Sequence, residues 1–168
     1  MLRLVTATLY NVWVMTAIDL VDETGTVALA ARVAAVAERS DIIALKGDLG
    51  AGKTTFARAF IRARADHPGE IPSPTFTLVQ VYELEPIAVW HFDLYRLGAP
   101  NEAWELGIEQ AFEEGISLIE WPERLGPLLP PRRLEITLEF GDRYNSRRAL
   151  LDAGTVWQTR LATITADA

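Results

Sequence analysis

Gly47-Asp48-Leu49-Gly50-Ala51-Gly52-Lys53-Thr54 fits the pattern G-x-x-x-x-G-K-[ST], and what flanks that stretch decides the fold. Ahead of it runs Ile42-Ile43-Ala44-Leu45, apolar and suited to a buried strand. Behind it, residues 55–64 carry a helix-compatible pattern. The strand delivers the chain to one point, and the glycines let the backbone curl. Where the helix begins, N–H groups then point at phosphate oxygens. Lys53 reaches the outer phosphates of such a ligand, and the Thr54 hydroxyl is a magnesium ligand. Gly47, Asp48, Leu49, Gly50, Ala51, Gly52, Lys53, Thr54 and Thr55 are therefore candidate nucleotide-binding residues.

Working outward, the chain of 168 residues is long enough for one domain with a real core. Its 49% hydrophobic and 23% charged residues are those of an ordinary globular protein. A formal net charge of −7 argues against DNA binding driven by a wide basic surface. The chain has no cysteine, which excludes disulfides, thiolate metal sites and a cysteine nucleophile, and suits a reducing cytosol. No apolar run is long enough to span a bilayer. Residues 4–18 are fairly apolar after Arg3, but Thr6, Thr8, Asn11 and Thr16 dilute the run and no small-residue cleavage site follows. Residues 1–17 are expected to be an extension ahead of one domain at 18–168, and Met15 offers an internal start.

Residues 18–21 suit a short strand or lead-in. Asp22 or Thr24 is placed to cap an alanine-rich helix running to Ala37. His67-Pro68-Gly69 and Ile71-Pro72-Ser73-Pro74 punctuate a loop. Residues 75–82 and 87–92 are expected strands, and 101–112 an expected helix with Trp104 facing inward and Gly107 a weak point. Residues 116–119 form another apolar run. Prolines at 122, 127, 130 and 131 predict irregular backbone, and residues 134–140 alternate as a half-exposed strand does. Residues 147–151 pair with it across a turn, while the segment after Gly154 has no clear pattern. Interleaved strands and helices predict an α/β three-layer sandwich of the P-loop NTPase type. Its sheet is mainly parallel, with an antiparallel C-terminal extension.

In open α/β sheets the ligand lies outside the carboxyl ends of the strands. Two apolar runs end there in acids, Asp93 and Glu120. A phosphate-loop enzyme needs a carboxylate for magnesium and one for the attacking water. Spacing does not say which acid does which, so Lys53, Asp93 and Glu120 are candidate catalytic residues and Thr54, Asp93 and Glu120 candidate metal-site residues. Thr75 lies in the Pro-bounded loop Ser73-Pro74-Thr75-Phe76, suited to sensing a terminal phosphate. His91 shares a strand face with Asp93. It either orders that acid or is a core histidine. Arg96 is placed for phosphate, for Asp93 or for a surface pair. Trp121 packs at the nucleotide or in the core.

No N-K-x-D guanine-reading pattern occurs, which favours ATP. A small-molecule or nucleotide kinase is the alternative and needs an arginine-rich lid. Arg124, Arg132 and Arg133 near the prolines are the candidates for one. Arg58, Arg62 and Arg64 suit a solvated or partner-binding face, and Arg143, Arg147 and Arg148 suit solvated turn charges by default, with contact to tRNA or to partner acids the alternative.

Four motifs in order, GDLGAGKTT at 47–55, SPTF at 73–76, HFDLYR at 91–96 and EWPE at 120–123, resemble the TsaE (YjeE) family over residues 18–151. The resemblance implies a weak magnesium-dependent ATPase, with ATP/ADP and Mg2+ as ligands. It implies a role in making N6-threonylcarbamoyladenosine at tRNA position 37 in the cytoplasm. The implied partners are TsaD, which carries out the transfer, and TsaB, with tRNA engaged only through their complex. It also implies that a Thr just before the first helix approaches the nucleotide base. Thr24 matches, with Thr26 the other candidate.

Overall fold

Residues 14–66 and 69–166, described from a computed structural model, form β1 (Val14–Leu20), α1 (Glu23–Val36), β2 (Ile42–Lys46), α2 (Lys53–Arg64), β3 (Val79–Tyr82), β4 (Val89–Asp93), α3 (Ile108–Glu114), β5 (Ile116–Glu120), β6 (Leu134–Phe140), β7 (Arg147–Ala153) and α4 (Thr155–Thr165). Two 3-10 segments, Pro100–Trp104 and Pro122–Leu128, flank α3 and β5. Residues 1–13 and the His67-Pro68 pair lie outside the described residues, and with them most of the expected extension. The sheet begins at Val14, four residues before the expected domain boundary, because 14–20 pair along all of β7.

One seven-stranded sheet runs in the order β1-β7-β6-β2-β5-β4-β3. β2 lies between β5 and β6 and is parallel to both, and β4 is parallel to β5. β3, β7 and β1 join antiparallel, so both margins of the parallel core are antiparallel, not the C-terminal one alone. The apolar run of β2 has the composition of a strand covered on both faces, and Ile42 to Leu45 are all buried. Ile43 and Leu45 enter the core beneath α1, α2 and α4. Ile42 enters the second core with Ile108, Ala111 and Leu125. Helices thus cover both faces of the parallel core. Among the described residues no helix is long and apolar enough to cross a membrane.

Local chemistry explains the elements. Asp22 caps α1 by accepting from the Thr24 and Gly25 N–H groups, a contact whose loss costs about 1 kcal/mol. Leu29, Ala30, Val33 and Ala34 then form the buried stripe. Phe56 and Phe60, one turn apart on α2, are fully buried and dock that helix on the sheet.

Several expectations are corrected. The strand expected over 75–82 starts only at Val79, because the Leu78 N–H closes a turn on the Pro74 carbonyl at 2.7 Å. The helix expected over 101–112 is split at Gly107, whose φ of 78° breaks the helical course. The first piece is a 3-10 turn with a tighter period. It turns Ala103 inward and leaves Trp104 47% exposed. The segment after Gly154 is a helix whose Trp157, Leu161 and Ile164 close the first core.

Candidate functional site

β2, β4 and β5 deliver the phosphate loop, Asp93 and Glu120 to one edge of the sheet. The loop has the backbone that only its glycines accept easily: φ is 132° at Gly47, 81° at Gly50 and 110° at Gly52. A Cβ on Gly47 would stand 2.3 Å from the Leu138 carbonyl oxygen, so the loop entry lies directly against β6. α2 starts at Lys53 with no side-chain cap, which leaves its first N–H groups to other acceptors. Leu49, at the loop tip, is exposed.

Lys53 is buried, donates to the Gly47 and Asp48 carbonyls, and stands 4.0 Å from the centroid of the Trp121 ring. Burial pulls its ammonium below its usual range, opposed first by Glu120 and then by Glu123, Asp93 and Asp48. Trp121 takes up a left-handed φ of 58°. That backbone costs a bulky residue about 1 kcal/mol or more and sets its ring against Lys53. Tyr95 packs on the other part of Trp121 with ring centroids 5.0 Å apart.

The two acids are both buried and differently held. Glu120 accepts from the Thr54 hydroxyl at 2.9 Å and contacts His91 Nε2 at 2.9 Å. Asp93 accepts from the Thr75 hydroxyl at 3.1 Å and from the Tyr95 N–H at 3.1 Å. Ser73 and Thr75 hydroxyls meet at 2.8 Å. His91 therefore serves Glu120 on the neighbouring strand, not Asp93 on its own. The parallel register that sets Asp93 beside Glu120 was not visible in the one-strand spacing. Arg96 meets neither phosphate loop nor acid; its guanidinium lies over the Phe76 ring at 4.7 Å.

Two clefts flank the loop and share Gly50, Gly52 and Thr55. One, of about 240 Å³, holds Lys53, Thr54, Thr75, Asp93, Glu120 and Trp121. The other, of about 380 Å³, holds Thr24, Thr26, Asn145 and Arg147. Thr24 and Thr26 thus lie on the far side of the loop from the acids. A cleft of about 430 Å³ beside residues 139–148 is larger but contains neither the loop nor the acids, so size does not locate the chemistry. The donors gathered at Thr54, Asp93 and Glu120 are all oxygens, the set that suits Mg2+. Among the described residues no group of three His, Asp or Glu would cage a metal alone. Magnesium commonly draws its remaining ligands from water and substrate phosphates, so the donor set fits.

The arginines depart furthest from expectation. Arg58 donates to the Ile71 carbonyl and Arg64 to the Ala34 and Ala37 carbonyls, so both tie elements together. Arg132 donates to the Ser40 carbonyl and Arg133 to Glu135, which removes them as lid arginines. Arg147 bonds the phosphate loop itself. A turn arginine gives no local sign of such a contact 96 residues away.

The family model for the threonylcarbamoyl adenosine biosynthesis protein TsaE matches residues 20–149. A TsaE from Rickettsia felis is 43% identical over 121 residues, 72% of this chain and 71% of its own. A TsaE from Bacillus subtilis is 36% identical over 115 residues, 68% of this chain and 71% of its own. The crystal structure of Bacillus subtilis YdiB superposes with a TM-score of 0.77 at 28% identity, covering 94% of this chain and 98% of that one. The loop, its strand-end acids and these matches agree: the chain belongs to the TsaE family.

Proposed function

We propose that this chain binds ATP with magnesium and hydrolyses it slowly, as the accessory ATPase that serves the TsaB–TsaD complex in tRNA N6-threonylcarbamoyladenosine formation in the cytosol. The observation that carries this is the junction of Thr54 with Glu120 at 2.9 Å, beside Lys53 and with Asp93 on the adjoining strand. A hydroxyl and a carboxylate meet where a phosphate loop ends, which is the arrangement a magnesium–nucleotide complex requires.

Lys53 and the loop N–H groups bind the phosphates. Thr54 and Glu120 hold the metal, with His91 orienting Glu120 from behind. Bound magnesium supplies charge neutralisation on the phosphate oxygens. Asp93, held by Thr75 and the Tyr95 N–H, orients water and accepts its proton as the water oxygen bonds to the terminal phosphorus and the bond from that phosphorus to the bridging oxygen breaks. ADP and phosphate leave. Thr75 links that step to the loop at residues 73–78. Thr24 and Thr26 border the cleft for the base. The threonylcarbamoyl transfer itself belongs to TsaD, and tRNA is reached only through the complex. A kinase is disfavoured, since two of the three arginines considered for a lid, Arg132 and Arg133, are engaged in structural bonds.

Reconstituting tRNA threonylcarbamoylation with TsaB and TsaD, with and without this chain and ATP, tests the proposal. Stimulation over many turnovers that is lost with Lys53→Ala is expected. No stimulation overturns the accessory role, and unchanged ATP–magnesium affinity of Lys53→Ala overturns the loop assignment.

A further inference from the structure

We propose that Arg147 is a positioning residue for the phosphate loop, clamping two consecutive peptide planes so that its N–H groups hold their direction. This rests on the reading that the loop binds a nucleotide. Arg147 Nε donates to the Ala51 carbonyl at 3.0 Å and Nη2 to the Gly50 carbonyl at 3.2 Å. Its Nη1 donates to the Ser146 carbonyl at 2.8 Å, and its guanidinium lies 4.6 Å from the Phe140 ring centroid. The guanidinium is thus fixed at one face by an aromatic ring and at one edge by its own hairpin, and offers the rest of its fork to the loop.

A peptide unit is planar and trans, so its carbonyl and N–H point in opposite directions. Holding the Gly50 carbonyl fixes the Ala51 N–H, which closes the loop's internal turn on the Asp48 carbonyl at 3.1 Å. Holding the Ala51 carbonyl fixes the Gly52 N–H, which then points away from Arg147 at the start of α2. Gly50 and Gly52 flank these planes, and glycine gives the least intrinsic resistance to rotation. The loop's own bonds hold the Gly47 and Asp48 carbonyls, and Arg147 supplies the restraint on the two planes that follow. Gly47, seated against the Leu138 carbonyl, is held by the same hairpin. The segment that resembled a solvated turn is the bracket of the nucleotide site.

The test compares wild type with Arg147→Met, Arg147→Lys and Arg148→Met. Arg148 is the neighbouring control, exposed and paired with Asp19 away from the loop. Magnesium–ATP and magnesium–ADP affinities are measured, together with hydrogen exchange of residues 48–52 in nucleotide-free protein. Arg147→Met is expected to lose about tenfold in affinity for both nucleotides, with faster exchange confined to the loop. Arg147→Lys recovers only part of this, because an ammonium lacks the planar fork, and it carries the comparison if the Met variant does not fold. Arg148→Met matches wild type. Wild-type affinity and loop exchange in Arg147→Met, even with a lowered melting temperature, would overturn the proposal. So would equal losses in the Arg147 and Arg148 variants. If wild type binds neither nucleotide, the ATP reading fails, and the exchange comparison still decides whether Arg147 holds the loop.

Discussion

Asp93 and Glu120 are register partners on the adjacent parallel strands β4 and β5, yet they share no hydroxyl: Thr75 serves the first and Thr54 the second. Two carboxylates at one edge are thereby held by separate groups, which accords with the separate tasks proposed for them.

That separation predicts a split between binding and turnover. Glu120→Gln and Asp93→Asn should each lower ATP hydrolysis about 100-fold or more, while ATP affinity falls less. Steady-state phosphate release and equilibrium titration measure the two quantities on the same preparations. Normal hydrolysis by both variants would remove the acids from the mechanism.

Gly47 combines a φ of 132° with a Cβ position 2.3 Å from a backbone oxygen. Gly47→Ala should therefore cost about 2 kcal/mol or more in urea unfolding and weaken nucleotide binding. Gly69 has nothing within 4 Å of the same position, so Gly69→Ala should leave both measurements near wild type.

The approach to the sheet from α4 rests on a buried ion pair. Arg160 donates to both Asp41 oxygens, at 2.6 and 3.0 Å, and stacks 4.0 Å from the Trp157 ring. Arg160→Met removes the bidentate partner of a buried carboxylate, which keeps the Glu38 N–H at 2.6 Å, and should cost about 3 kcal/mol. Asp41→Asn combined with Arg160→Met should cost less than the sum of the single changes, as chemical denaturation of the double-mutant cycle would report.

Asp152 gives a signed pH prediction. Burial first, and Glu135 second, hold its carboxyl above the ordinary value of 3.8, and its Oδ1 has no hydrogen-bond partner among the described residues. The native state keeps this proton to higher pH than the unfolded chain does. Its contribution to stability is thus full below 3.8 and is lost as pH rises through the native value. Asp152→Asn should raise the melting temperature at pH 7, with the gain disappearing as pH falls below 3.8. A gain that grows on acidification would contradict the assignment.

What could be read from the chain was what local chemistry determines. The glycines, Lys53 and Thr54 announce a phosphate loop because their spacing is the site. Asp93 and Glu120 stood out as strand-end acids, and residues 134–140 read as a strand, although Glu135 is buried and Phe140 exposed against the expected alternation. Partnerships across strands were not legible: His91 meets Glu120 through the register of β4 with β5, which no single segment encodes. Arg147 looked like a turn charge because its acceptors are carbonyls, which carry no sequence identity. Trp104 was expected inside because an α period was applied where Gly107 and Pro100 enforce a tighter turn. β1 was read too short, and α4 not at all, because each is held by tertiary pairing and not by a strong pattern of its own.

The strand order has a consequence for how the protein is made. β2 and its loop are synthesised early, but both strands beside β2 come later, and β1 finds its partner only in β7. A nascent chain that has reached only β4 has β2 without either of the neighbours that complete the sheet around it. The arginine that grips the loop arrives at position 147. On the proposed reading, a chain cut before β5 would carry the recognisable loop without Glu120, β6 or Arg147.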